Sequence, residues 1–304
     1  MKQAVLLLAH GAPERVEDLP EYLKDVRGGR ETPPQILDEV RQRYEAIGGG
    51  SPLTARTREQ AAALERELGI PVYFAMRNWQ PSIRETLERM RAGGVERIVA
   101  LCLAPQYSKS SVGLYFRRTQ EAKVALGYAA EMVWAKTFHA HPLLIEAFYE
   151  RLKLLLPEPS RDRTGAEPSQ VLFTVHSLPE RALERADPYD VEAKTTARLV
   201  AERAGIAGWD FAYQNQGFTE EKWLGPTVES KLDEYASAGV REVVLVPIGF
   251  VSDHVEILYG VDVVFRNYAR ERGIELRRTE SLNDSPTFIR ALAAVVRERL
   301  CPGA

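Results

Sequence analysis

A chain of 304 residues, 45% of them hydrophobic, can bury a large core, and its length predicts two domains. Its 40 Lys and Arg residues against 43 Asp and Glu give a formal net charge of −3, which argues against a general nucleic-acid binder. No apolar stretch approaches the ~20 residues needed to cross a bilayer, and the N-terminal residues lack a signal peptide's length and cleavage site, so the expected location is cytoplasmic. The two cysteines, Cys102 in an apolar run and Cys301 at the tail, make neither a disulfide framework nor a CxxC metal site.

Taken in order, Gln3 to Ala9 reads as a first buried strand that ends at His10-Gly-Ala-Pro. Helices follow near Leu19 to Val26, Pro34 to Ile47 and Leu53 to Leu68, with the breaker Gly48-Gly-Gly-Ser-Pro between the last two. Pro71 to Met76 and Arg97 to Leu103 are further strands, separated by an amphipathic helix from about Ser82 to Arg91. A helix near Val112 to Ala125, a strand Glu131 to Ala135 and a helix from about Pro142 to Leu156 complete the first half. Strands alternating with helices of this length predict a parallel sheet.

Residues 157–170, PEPSRDRTGAEPSQ, have the composition of an exposed linker. The pattern then restarts with strands at Val171 to Val175, Asp210 to Gln214 and Glu242 to Val246. Helices are expected at about Val191 to Ala204, Pro226 to Ala238, Val255 to Arg272 and Pro286 to Leu300. The halves echo each other: Leu6-Leu-Leu-Ala-His10-Gly-Ala-Pro-Glu-Arg15 shares its frame with Leu172-Phe-Thr-Val-His176-Ser-Leu-Pro-Glu-Arg181. We therefore expect two similar Rossmann-like α/β domains with parallel sheets facing one cleft. The expected boundaries are residues 1–138 with the C-terminal helix at about 280–304, and residues 139–279.

The chemistry concentrates where two strands end. Glu242 to Val246 runs into Pro247-Ile-Gly and then into a helix near His254, with Ser252 or Asp253 as its expected N-cap. Ligands of open α/β sheets collect at such carboxyl ends, and here Asp253, His254 and Glu256 stand together. His176 ends another strand, and one polar group from each strand end would suit a transition metal with nitrogen and oxygen ligands. The blander readings are a turn histidine bonded to backbone, and a first-turn carboxylate favoured by the helix dipole. Gly48 to Ser51 is a weak phosphate-loop match, because it follows a helix and lacks the lysine of such loops. His139 and His141, before Pro142, read as caps or surface groups.

HSLP at 176–179, DPY at 187–189, WLGP at 223–226 and DHVEILY at 253–259 together resemble the ferrochelatase family, which inserts ferrous iron into a porphyrin. RYEAIGGGSPL at 43–53, MRNWQP at 76–81, LAPQYS at 103–108 and SLNDSPTFI at 281–289 continue the resemblance along essentially the whole chain. It is similar in particular to the soluble bacterial coproporphyrin III branch.

The resemblance implies a lyase of haem biosynthesis that takes a porphyrin and Fe²⁺ as substrates. It implies no required cofactor, and no iron–sulfur cluster, since the four cysteines some members use are lacking. Transient contact with other haem-pathway enzymes fits that role. Iron insertion needs a base for two pyrrole protons, a ligand that brings Fe²⁺ to the ring, and walls that strain the macrocycle. His176 and Glu256 are the candidate catalytic residues and metal ligands, with His254 as a partner that orients Glu256.

The resemblance also assigns porphyrin contacts to His10, Arg27, Arg43, Tyr44, Ser51 and Tyr115. Of these, Arg27, Arg43, Ser51 and Tyr115 match the propionate holders of the coproporphyrin branch, where a guanidinium suits a carboxylate. His10 stands where soluble members carry a tyrosine able to bind iron, and a strand-end histidine with no ligand role is the equal alternative. Trp79, Tyr107, Trp223 and Phe250 are candidate cleft walls. The family's acidic ridge, four and eight residues beyond the glutamate, is here Gly260 and Val264. A protoporphyrin IX ferrochelatase, a cobalt or nickel chelatase, and a non-catalytic porphyrin or haem carrier on the same fold stay open.

Overall fold

The computed structural model describes residues 1–156, 169–184, 186–216 and 221–300. Two four-stranded parallel sheets organise them. The first contains β1 (Gln3–Ala9), β2 (Val72–Met76), β3 (Arg97–Cys102) and β4 (Glu131–Ala135), in the order β2-β1-β3-β4. The second contains β5 (Gln170–His176), β6 (Trp209–Gln214), β7 (Glu242–Val246) and β8 (Glu275–Arg278), in the order β6-β5-β7-β8. The orders are the same with four added to each number, and every pairing is parallel. The fold class is therefore α/β with a duplicated sheet, as the echo between the halves predicts.

Burial explains why the strands form where they do. Ala4 to Leu8 of β1 and Val243 to Val246 of β7 are fully buried, as expected for strands covered on both faces, and such runs carry no polar alternation. Helices close over them: Ile83, Leu87 and Met90 pack on Leu6, Ile98 and Ala100 of the first sheet. Leu232, Ile257, Val261 and Phe265 pack on Leu172 and Leu245 of the second. The helix Ile83–Ala92 starts with a capping box, in which Ser82 Oγ accepts from the Glu85 amide and the Glu85 carboxylate accepts from the Ser82 amide.

The first compact unit is assembled from Met1–Phe138, the four residues Ser252–Val255 and the segment from Asn283 onward. The second comprises His139–Val251 and Glu256–Leu282. Within the first, the last helix Pro286–Leu300 packs against the helix Leu53–Leu68. Within the second, the helix Pro142–Leu152 packs against Tyr189–Ala204.

Four expectations change. The α-helix expected over Val255 to Arg272 is a π-helix over Glu256–Phe265, followed by a short α-helix Arg266–Glu271. Its run Gly260-Val-Asp-Val-Val264 is poor in strong α-formers, so little α-propensity is lost when the turns widen. The strand β8 was not expected, because its residues Glu-Leu-Arg-Arg hold one apolar side chain and pairing with β7 alone makes it a strand. The helix from Pro142 stops at Leu152, before the exposed Leu154. Of the linker expected over 157–170, residues 157–168 lie outside the described residues, as does Cys301, and Gln170 already belongs to β5.

One buried contact anchors the end of β5. Tyr189, in the first turn of its helix, donates its hydroxyl hydrogen to the His176 carbonyl at 2.9 Å. Burial pushes the Tyr189 phenol well above its usual range, with the charge of Glu256 adding to the effect, so it stays a donor. Tyr189→Phe strands that carbonyl and should lower stability by about 1–2 kcal/mol. Urea unfolding of the variant against the parent measures it, and an unchanged midpoint would show that the contact contributes nothing.

Candidate active site

In the second sheet β5 sits between β6 and β7, so the chain leaves β5 in one direction and reaches β7 on the other side. This reversal is the position where open parallel sheets present a ligand crevice. His176, the last residue of β5, stands on one side of it and the segment following β7 leads to Glu256 on the other. The end of β5 is tied down by its neighbour: the Ser177 amide donates to the Gln214 carbonyl at 2.8 Å, and Thr174 Oγ1 donates to Gln214 Oε1 at 2.7 Å.

The two candidate side chains meet. Nε2 of His176 lies 3.7 Å from Oε1 of Glu256, longer than a hydrogen bond, with both side chains about a third exposed. Nδ1 of His176 lies 2.5 Å from the Ser177 carbonyl, which can only accept, so the proton of the neutral ring is assigned to Nδ1 and the lone pair to Nε2. The other carboxylate oxygen, Oε2, accepts from Asn215 Nδ2 at 3.1 Å. Phe250 approaches the imidazole edge-on, with 6.4 Å between ring centres.

Glu256 opens the π-helix, whose backbone bonds run between residues five apart. Positions four and eight beyond Glu256 are Gly260 and Val264 of this widened helix. Val264 is exposed, and a Cβ placed on Gly260 would lie 3.2 Å from Asn215 Oδ1. Asp262 is engaged elsewhere: Arg278 donates to both its oxygens, from Nε at 2.8 Å and from Nη2 at 2.7 Å.

The first unit has its own cluster at the corresponding strand ends. His10 follows β1, and its Nδ1 lies 3.0 Å from the Gly11 carbonyl while its Nε2 lies 3.1 Å from Asn78 Nδ2. The carbonyl accepts a hydrogen bond from Nδ1–H and the Asn78 amide donates one to Nε2, which is the same tautomer as that of His176. Tyr22 adds its hydroxyl 3.4 Å from Nδ1 and packs edge-on against Trp79. Tyr115 is buried beneath the guanidinium of Arg77, whose Cζ is 4.6 Å from the ring centre.

Of the remaining candidates of this unit, Tyr44 joins the cluster that holds Tyr22 and Trp79. Arg27 caps the helix Leu19–Val26, and its shielded Nε has no hydrogen-bond partner among the described residues. Arg43 lies 3.8 Å from Glu39, one turn earlier on its helix. Ser51 is buried, its amide donating to the Pro13 carbonyl at 3.0 Å. Tyr44 is 1% exposed and packs with Leu19, Tyr22 and Leu23 as core.

His254 Nδ1 lies 2.9 Å from the Ser252 carbonyl, and Asp253 forms a reciprocal pair with Asn283. The Asp253 amide donates to Asn283 Oδ1 at 3.0 Å and Asn283 Nδ2 donates to Asp253 Oδ2 at 2.8 Å. His141 is a helix cap as expected, accepting from the Leu143 amide at 3.2 Å, and His139 pairs with Glu192 at 3.3 Å. Sequence reasoning passed over Arg77, Asn78 and Asn215. The first two lie inside the quoted MRNWQP segment directly after β2, which was a usable signal.

Comparison with known proteins identifies the family. The ferrochelatase family profile matches residues 2–300. A ferrochelatase of Acidobacterium capsulatum is 44% identical, covering 98% of this chain and 95% of that protein. A ferrochelatase of Deinococcus radiodurans is 37% identical, covering 97% and 95%. A coproporphyrin III ferrochelatase of Geobacillus kaustophilus is 33% identical, again over 97% and 95%. Among solved structures, SirB from Bacillus subtilis with Fe³⁺ superposes with a TM-score of 0.61 at 14% identity, covering 98% of this chain and 96% of that one, a likeness of fold alone. The chain belongs to the ferrochelatase family, the enzymes that insert iron into a porphyrin for haem biosynthesis.

Proposed function

We propose that this enzyme metallates coproporphyrin III, and that His176 and Glu256 carry the chemistry. The observation that supports the pair is its geometry: an imidazole lone pair 3.7 Å from a carboxylate oxygen, with the far nitrogen and the far oxygen each occupied by a protein partner. Metal bonds to nitrogen and oxygen of about 2.1 Å span up to roughly 4 Å between two ligand atoms, so one Fe²⁺ can touch both groups with little movement. As the cation passes from these groups to the ring, the Nε2 lone pair it releases can accept one pyrrole proton and the Glu256 carboxylate the other, both then passing to water. The two pyrrole protons leave as iron takes their place, so charge and atoms balance without a redox step.

The substrate follows from charge. Coproporphyrin carries four propionates where protoporphyrin has two, and leaving a carboxylate buried and unpaired is costly. Arg27, Arg43, Ser51 and Tyr115 are the proposed partners, with Arg77 above Tyr115 as a further cation. The relatives named for coproporphyrin III, at 33–34% identity, favour this reading, while the more similar ones are named only as ferrochelatases. No helix among the described residues is long and apolar enough to cross a membrane.

Anaerobic assays that follow porphyrin fluorescence with Fe²⁺ test the chemistry. His176→Ala and Glu256→Gln should each lose about 100-fold or more in turnover while still binding porphyrin. A rate within a few-fold of the parent removes that residue from the mechanism, and stoichiometric binding by the parent without metallation would make the protein a carrier.

The same assay with two porphyrins tests the substrate. Coproporphyrin III should show the higher kcat/KM in detergent-free buffer, and Arg43→Ala should lose about tenfold with that porphyrin alone. A higher kcat/KM for protoporphyrin IX, or an equal loss with both, overturns the assignment.

A further inference from the structure

We propose that Asn215 is the residue that positions Glu256, and that the glycine at 260 is what makes room for it. The inference rests on Glu256 being the working carboxylate. It concerns how that carboxylate is aimed, which the pairing with His176 does not explain by itself.

Asn215 is the first residue after β6, and its backbone lies in the left-handed region at φ +58. Few side chains tolerate that conformation, and asparagine is among those that do. The turn points the carboxamide at the start of the π-helix. There Nδ2 donates to Glu256 Oε2 at 3.1 Å, so the oxygen left facing His176 Nε2 is Oε1. A glutamate has three rotatable bonds, and a fixed donor on one oxygen removes most of the orientations in which the other would miss the imidazole.

Gly260 belongs to the same arrangement. It lies one widened turn beyond Glu256, and any Cβ there would stand 3.2 Å from Asn215 Oδ1, tighter than ordinary contact. A side chain at 260 would therefore make the carboxamide give by a few tenths of an ångström, at the expense of its bond to the carboxylate. The missing carboxylate at this position is thus coupled to the presence of an amide at 215. An amide that holds Glu256 and an acidic group at 260 compete for one space.

The decisive variant is Asn215→Gly, because glycine adopts φ +58 without strain and removes only the side chain. It should lower kcat/KM for Fe²⁺ at least tenfold while leaving the porphyrin KM and the thermal midpoint close to the parent. Asn215→Asp keeps the shape and the backbone but sets a second carboxylate against Glu256, so it should lose at least as much. Gly260→Ala should also slow turnover in the parent, and should cost nothing further in the Asn215→Gly background, where its Cβ meets no carboxamide.

Activity of Asn215→Gly within twofold of the parent overturns the proposal, as does a Gly260→Ala effect of equal size in both backgrounds. A rise in the porphyrin KM or a fall in the thermal midpoint to match the loss of turnover would make Asn215 a structural residue and also overturn it. Glu256→Gln separates the two levels. If that variant is inactive and Asn215→Gly is not, positioning by Asn215 fails alone; if Glu256→Gln is active, the role of Glu256 itself fails.

Discussion

The carbonyl at the end of β5 is the fixed point on which the chemistry proposed for the second unit depends. The strand β5 is hydrogen-bonded to a parallel neighbour on each side and buried along its length, so its end is a firm support. The His176 carbonyl is held by Tyr189, and the following Ser177 amide by Gln214. The imidazole then turns back on its own chain to meet the Ser177 carbonyl. Its orientation is thereby set by backbone, and the direction of Nε2 follows with no neighbouring side chain needed to aim it.

Glu256 is supported differently. It stands on a helix terminus, where the chain offers dipole and exposed amides but little lateral constraint. The constraint comes from the opposite strand end, through Asn215. One partner of the pair is thus aimed by its own backbone, and the other by a side chain from a third segment.

Most of the sheet architecture was legible from the residues, and the reason is burial. Val5 to Leu8 and Val243 to Val246 are apolar at every position, and only a strand covered on both sides makes use of that pattern in so short a run. The same logic fails for β8, where Arg277 and Arg278 look like surface but are carried into the sheet by pairing with β7 and by partners in Glu242 and Asp262. That His176 ends a strand and Glu256 stands at a helix start was legible, because such turns announce themselves. Asn215 was not, since its importance lies in a backbone angle and in the absence of a side chain at Gly260, and neither leaves a mark in periodicity. The π-helix escaped for a related reason: hydrophobic positions at Ile257, Val261 and Phe265 suit an α-turn as well as a widened one.

The 3.7 Å between His176 and Glu256 is itself informative about what such a pair can do. A close, fully desolvated imidazolium–carboxylate pair would commit each group to the other, and separating them would cost free energy every time a cation entered. At this separation, with both groups about a third exposed, neither is locked. The protein bonds instead go to the far atoms, Nδ1 and Oε2, leaving Nε2 and Oε1 as the two atoms that converge. The proposed entry of a cation between Nε2 and Oε1 would leave the Nδ1 and Oε2 contacts in place. In the proposed reaction the same two atoms become proton acceptors once the metal has left them for the ring.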